Sequence, residues 1–314
     1  MDLRQLRYFV AIIQCGSITR ASMQLNVAQP ALSLHIRNME ADLGVPLLFR
    51  TSQGVQPTED GQILMRNAQL ILAQFEQAQA DIKGSMDEPA GVVRMGLPSS
   101  ICHILGVPLI LSARRQYPKV SLTIAEAMSG YVLDWLRVGR VDLGLLYGLV
   151  EERGLRSVSL LSEGLVLFGP ANGLGPADPP HDGLAQLAIL ADQPLILPSV
   201  GHGLRDFLDE KALAAGLRLQ PIIEIDAFVA IKTLVRRGLG YSVLPAHAVQ
   251  TEVGEDSLLA WPFDPPLVRT IHLALPTDRP LSHAAQAMER LCRTTLADLV
   301  RSGIWRSAQM RVTT

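Results

Sequence analysis

Cysteine is scarce in this 314-residue chain, and what there is (Cys15, Cys102 and Cys292) forms an odd, scattered set. Such a set offers neither a disulfide framework nor metal-ligand spacing, and it suits a reducing compartment. Long apolar runs are also missing. Stretches such as Ile101 to Leu111 fall short of the ~18 residues that a bilayer-spanning helix needs. The start, Met1-Asp2-Leu3-Arg4-Gln5, has no basic segment leading into an apolar run, so no export signal is expected and a cytoplasmic location is. Neither charge sign dominates: the net charge is −2, which gives the whole molecule no polyanion-binding signature. Nucleophile elbows, phosphate loops and acid–base constellations are absent, so no catalytic residue and no enzymatic activity is expected. His103 and His202 have no partner at ligand spacing, so neither a metal site nor a cofactor is expected.

What is present begins with a hydrophobic content of 48%, enough for real cores, and a length that suits about two domains on a prior of roughly 150 residues each. In residues 1–58, Arg4, Arg7, Arg20, Arg37 and Arg50 outnumber Asp2, Glu40 and Asp42, a mild bias compatible with phosphate contacts. Leu3, Leu6, Phe9, Val10 and Ile13 recur at helical spacing before Gly16. Ser17 can cap a short second helix ending near Leu25, and Pro30 suits the first turn of a third. Leu32, Ile36, Met39 and Leu43 then step along one face up to Gly44. Two helices joined by a short turn make a helix-turn-helix. With those four residues inward, Pro30, Ser33, Leu34 and Arg37 point outward and Gln29 stands at the tip, where such motifs meet base edges in the major groove. Gln29 suits adenine, Arg37 suits guanine or phosphate, and Leu34 suits either a thymine methyl or packing on its own domain. Phe49-Arg50-Thr51 and Val55-Gln56-Pro57 flank Ser52-Gln53-Gly54 as a hairpin with Gly54 at a positive-φ position. This wing carries Arg50 at its base and Gln53 at its tip towards DNA.

The string GSITRASMQLNVAQPALSLHIRNMEADLGVPLLFRTSQGVQPTEDG resembles the DNA-binding signature of the LysR-type transcriptional regulators. Ala28 departs from the LysR-type pattern: the family usually has Ser or Thr there, so a helix cap worth about 0.5–2 kcal/mol is missing. The variant run Ala28-Gln29-Pro30-Ala31-Leu32-Ser33, with the Arg50-Thr51 and Gly54-Val55 wing leading to Pro57-Thr58, resembles the nitrogen assimilation control subgroup.

Thr58 followed by Glu59-Asp60 starts a helix well. Leu64, Ala68, Ile71, Phe75, Ala78 and Ile82 alternate steps of four and three, a heptad seam that predicts dimerisation through a long linker helix. Packing of that stripe on the chain's own body is the competing reading. The seam ends near Gly84, and Asp87-Glu88-Pro89 forms a hinge.

Beyond Gly91, short apolar runs alternate with helical stretches, which predicts α/β lobes with largely parallel sheets. Strands are expected over 92–97, 122–125, 143–147, 165–168, 195–197, 222–225, 241–244 and 271–275, with helices over 204–215, 228–237 and 284–301. Residues 172–182 read as a surface loop. Leu97-Pro98-Ser99-Ser100, Leu197-Pro198-Ser199 and Leu244-Pro245 each close a strand before a helix, where small-molecule sites form in such folds. Ordinary N-capping is the competing role for these serines, and for Ser129.

The resemblance implies an α/β chain with an N-terminal all-α winged helix-turn-helix (1–58), a linker helix and hinge (59–89), and a two-lobed effector domain similar to periplasmic solute-binding proteins (90–302). Lobe I covers 90–162 and 268–302, lobe II covers 163–267, and a tail (303–314) has no assigned role. The chain would cross between lobes near Ser162-Glu163 and Pro266–Arg269. By that likeness Ser99, Ser100, Ile101, Ser129, Tyr147, Pro198, Ser199, His202 and Phe228 line the interlobe cleft. Hydroxyls at helix starts favour a small anionic metabolite, and no Arg or Lys is placed among them. The expected partners are double-stranded operator DNA, this effector, further copies of the chain as a homodimer or homotetramer, and RNA polymerase, with no membrane. The alternatives are a small-molecule-binding or enzyme domain with an incidental helical N-terminus, and a redox sensor built on Cys102.

Overall fold

The computed structural model describes residues 1–51, 54–83, 88–173, 183–255 and 257–311, and the chain divides into two compact bodies, Met1–Gly91 with Val138–Arg140 and the remainder from Val92 onwards. The first contains α1 (Leu3–Cys15), α2 (Ile18–Leu25), α3 (Gln29–Leu43), the hairpin β1 (Leu48–Thr51) and β2 (Gly54–Pro57), and α4 (Glu59–Lys83). Asp2 and Gln5 close a reciprocal capping box on α1, and Gly16 ends that helix at φ +60°. Ser17 caps α2 by accepting from the Arg20 N–H. At the start of α3, Ala28 provides no side-chain cap. Leu6, Phe9, Ile12, Ala21, Leu32, Ile36 and Met39 form the core that holds the three helices together.

Two sequence expectations for α3 are corrected. Leu43 is exposed rather than inward: it shares a face with Met39, but the helix ends at Gly44, beyond the edge of the core. Ser33 is buried, at 6% exposure, rather than outward, because it sits next to Leu32 and its small side chain is covered on that flank. The seam of α4 is corrected in part. Ala68 is fully buried in the core of this same body, and Leu64 is half-buried against it, so these two pack on their own chain. Ile71, Phe75 and Ala78 are exposed, and the Arg7 guanidinium lies 5.9 Å over the Phe75 ring. The side chain of Ile82 lies outside the described residues, as do Ser52, Gln53, Gly84 and Asp87, together with 174–182 of the expected surface loop.

The second body runs through β3 (Gly91–Leu97), α5 (Ser99–Gln116), β4 (Val120–Glu126), α6 (Ser129–Arg137), β5 (Leu143–Tyr147), β6 (Glu151–Glu152), β7 (Leu155–Pro170), β8 (Leu195–Leu197) and α7 (Gly203–Ala214). It continues with β9 (Pro221–Glu224), α8 (Phe228–Arg236), β10 (Ser242–Pro245), α9 (Gln250–Gly254), β11 (Leu258–Pro262), β12 (Val268–Pro276), α10 (His283–Arg301) and β13 (Ala308–Met310). The main sheet has the order β10-β7-β12-β5-β3-β4, with β6, β11 and β13 also paired to β7. Antiparallel pairing dominates, against the expectation of largely parallel sheets: β12 runs antiparallel to both β5 and β7, while β3/β5 and β8/β9 are parallel. The cause is the double crossing. The chain leaves the first lobe along β7 and returns along β12, and neighbours that travel in opposite senses must pair antiparallel.

Two apolar cores lie along β7. One gathers Met95, Leu97, Ile101, Leu105, Leu273 and Met288; the other gathers Leu167, Phe168, Leu197, Leu208, Ile231 and Trp261. The tail, to which the sequence assigns no role, adds β13 to β7, with Ala308 opposite Glu163, and fully buries Trp305. Among the described residues, no helix is long and apolar enough to cross a membrane. Restoring the missing cap by Ala28→Ser is expected to raise the stability of the first body by about 0.5–2 kcal/mol, read from thermal unfolding; an unchanged midpoint would show that the start of α3 needs no cap.

Candidate functional sites

The first site is the start of α3. Gln29, Pro30, Leu34 and Arg37 are exposed on it, and Leu34 stands 52% exposed, although nothing in polarity favours a leucine in water. Ser33 does not join them; it accepts a hydrogen bond from Gln29 Nε2 at 3.2 Å, which ties the glutamine side chain to the helix. The hairpin that follows α3 is anchored by backbone. Val55 N–H donates to Gly16 O at 2.9 Å, and any side chain on Gly54 would collide with that same carbonyl. Gly54 sits at φ +130°, a conformation that L side chains avoid. The Glu40 carboxylate accepts from Leu47 N–H and Leu48 N–H at 2.9 and 3.3 Å, so the far end of α3 also holds the entry to β1. Arg50 lies on β1; its side chain, like Gln53, lies outside the described residues.

The second site lies between the two lobes of the second body. Ser99, Ser100, Ser129, Tyr147, His202 and Phe228 converge there with Pro98, Met128, Gly203, Leu204 and Arg269 around a small cavity of about 20 Å³. Three expected residues do not join them. Ile101 is fully buried in the first-lobe core, because it faces the sheet from the first turn of α5. Pro198 and Ser199 lie off the lining. Ser199 turns instead to Asp226, which accepts from its N–H and its hydroxyl at 2.9 and 2.8 Å. A wider opening of about 510 Å³ adjoins the cavity through Met128, Ser129, Tyr147 and Gly203.

Arg269 overturns the expectation that no cation stands in the cleft. It is only 5% exposed, and its guanidinium stacks 3.6 Å over the Tyr147 ring. Glu163, fully buried on β7, faces it in register from the neighbouring strand. Its Oε1 accepts from Arg269 Nη2 at 3.2 Å and from the Tyr147 hydroxyl at 2.6 Å. Because Tyr147 donates its proton there, Ser100 Oγ donates in turn to the Tyr147 oxygen at 2.7 Å. His247 completes the cluster, with Nδ1 3.2 Å from Glu163 Oε2 and Nε2 3.0 Å from the Ser100 carbonyl. Trp305 packs edge-on against its ring. A charged residue inside an apolar strand needs a partner; Glu163 and Arg269 each carry that signal in the sequence, but their pairing appears only when β7 and β12 are laid side by side.

The protonation states follow from these surroundings. Burial, and next the Glu163 charge, push the Tyr147 phenol well above its ordinary value, so it remains a neutral donor. Burial alone would raise the Glu163 carboxyl, but His247, Arg269 and the Tyr147 hydroxyl together bring it below its usual value of 4.5. Burial, helped by Arg269, lowers His202; the neutral ring accepts from Leu204 N–H through Nδ1 at 3.2 Å and so caps α7. Cys102 does not line the cavity. Burial, and then Glu126, raise its thiol to about 11, so it is protonated at neutral pH and a poor nucleophile.

A carboxyl group held low in the folded state adds stability above its unfolded value and loses it as pH falls through the folded one. Glu163→Gln is therefore expected to cost about 3–5 kcal/mol near neutral pH, since it leaves Arg269 buried without its counter-charge. The variant should also lose part of the acid-dependent fall in melting temperature below the usual carboxylate value. A neutral substitution with an unchanged pH profile would show that the pair does not hold the β7–β12 crossover.

Family models match both bodies of the chain. The family described as bacterial regulatory helix-turn-helix protein, lysR family, matches residues 3–62, and the LysR substrate binding domain matches residues 86–297. The nitrogen assimilation regulatory protein nac of Klebsiella aerogenes is 31% identical over 293 residues, covering 93% of this chain and 94% of its own. Its namesake in Escherichia coli is 31% identical over 302 residues, covering 96% and 97%. Among solved structures, a full-length OxyR point variant from Pseudomonas aeruginosa is similar with a TM-score of 0.74 at 24% identity, over 100% of this chain and 99% of that one. Full-length CbnR in complex with its target DNA is similar with a TM-score of 0.68 at 21% identity, over 94% and 100%. The exposed start of α3, the hairpin that follows that helix, the two-lobed body and these likenesses along nearly the whole chain have one reading: this chain belongs to the LysR family of transcriptional regulators.

Proposed function

We propose that the chain reads an operator through Gln29, Pro30, Leu34 and Arg37, with Arg50 and Gln53 of the wing on the phosphate backbone. The observation that carries this reading is the exposed, partly apolar start of α3, which matches what a major groove offers: base-edge donors and acceptors and thymine methyls. The structure of CbnR with its target DNA supports the same use of the fold. Two copies would act together through Ile71, Phe75 and Ala78, the exposed part of the α4 seam, and Ile82 would extend it. A homodimer or homotetramer acting in the cytoplasm, with RNA polymerase as its downstream partner, completes the proposal. In the second body, Ser99, Ser100, Ser129, Tyr147, His202, Phe228 and Arg269 would bind a small metabolite bearing an anionic group. Support comes from the N–H groups at the start of α5, which has no side-chain cap, and from the Arg269 guanidinium.

A gel shift with the gene's own upstream DNA tests the first half. Gln29→Ala is expected to cost about 1–3 kcal/mol and to relax sequence preference, whereas Arg50→Ala should weaken all sequences alike and shallow the salt slope by about one unit. Equal, sequence-blind losses from both substitutions would contradict base reading by α3.

A further inference from the structure

We propose that the interlobe cleft takes an amino carboxylate: a zwitterion whose carboxylate enters the deep end at Arg269 and the start of α5, with its ammonium at Asp206. The proposal rests on the reading of this cleft as the effector site and adds the class of ligand. At the deep end, Arg269 lines the cavity while 95% of its surface is covered, and its Nε–H has no acceptor among the described residues. A buried donor without an acceptor is unfavourable. Pro98 precedes α5 without capping it, so the first-turn N–H groups of Ser99 and Ser100 lie beside the same cavity. These groups together seek a carboxylate.

The mouth has the opposite character. Its lining includes Asp134 and Asp206 and no lysine or arginine. Asp134 is committed to Arg137 at 2.6 Å. Asp206 accepts from Gly201 N–H through Oδ1 at 3.0 Å, and it is exposed in the first turn of α7. His202, between the two ends, is neutral for the reasons given above. Asp226 lies within the electrostatic reach of His202.

Charge selects among ligands. Glu163 already balances Arg269, so the deep end supplies donors rather than net positive charge. A dianion would meet Asp206 without compensation. A simple monoanion would leave Asp206 without a counter-charge, and a plain amine would have nothing for the deep donors. A ligand of zero net charge with a carboxylate at one end and an ammonium at the other satisfies both ends. The distance between its two groups separates α-amino acids from those with a more remote amine, and the test covers both.

The experiment is calorimetric titration of the full-length protein at neutral pH with the proteinogenic amino acids and 4-aminobutanoate. Their 2-hydroxy or deaminated counterparts, succinate and ethylamine serve as matched probes. At least one amino acid should bind about tenfold or more tightly than its deaminated counterpart and than succinate. Asp206→Asn, a surface change, should erase most of that preference while leaving carboxylate binding in place. Failure of every amino acid to bind, equal binding of the deaminated partner, or an Asp206→Asn variant that keeps the full preference would each overturn the proposal. Tight binding of succinate or a hydroxy acid instead would overturn it while leaving the anion cleft standing. Ser129→Trp, which fills the cavity, should abolish whichever binding is seen; its persistence would sink the cleft reading itself.

Discussion

A carboxylate buried on one crossover strand and a guanidinium buried on the next hold the sensing body together. Glu163 and Arg269 are direct partners in the β7–β12 register, at the place where the chain passes from one lobe to the other and back. Neither could be buried alone, because a charge taken out of water needs a partner. Each side chain also reaches into the cleft network: Arg269 stacks on Tyr147, which bonds Ser100, and Glu163 meets His247, which reaches back to the Ser100 carbonyl. The crossover and the cleft wall are thus one cluster. A ligand that drew on Arg269 or Ser100 would act on the atoms that join the two lobes.

The tail belongs to the same cluster. β13 lies along β7 opposite Glu163, and Trp305 closes over His247, which keeps water from the most costly charges in the body. Covering a buried ion pair strengthens its mutual attraction and raises the cost of losing either member. Residues that look like a trailing end in the sequence therefore complete the crossover.

In the first body the comparable constraint is close backbone approach. Gly54 can lie against the Gly16 carbonyl, and Gly61 against the Leu47 carbonyl, only because neither has a Cβ. The Glu40 carboxylate then ties the strand entry to α3 by accepting from Leu47 N–H, and the Thr58 hydroxyl ties the start of α4 to that entry by donating to Pro46 O while it accepts from Gly61 N–H. A wing placed by such contacts is held fixed on the helices, which groove reading requires. Burial of Ala68 and Leu64 in the same core roots the α4 rod in this body and leaves Ile71 and Phe75 uncovered.

Local patterning determined much of this protein from sequence alone. Helical spacing, the Ser17 cap, Pro30 and the glycine punctuation laid out the helix-turn-helix and wing, since those signals act over a few residues. Strand–helix alternation placed most second-body elements, and the serines at strand ends pointed to the cleft. Only the tertiary structure decided which way the strands pair, that Ser33 turns inward and Leu43 outward, and that two residues of the expected seam, Leu64 and Ala68, pack on their own chain. It alone joined Glu163, His247, Arg269 and Trp305, residues separated by scores of positions. The physical reason is range: propensity and periodicity describe neighbours along the chain, whereas burial of a charge is settled by whatever the fold brings beside it.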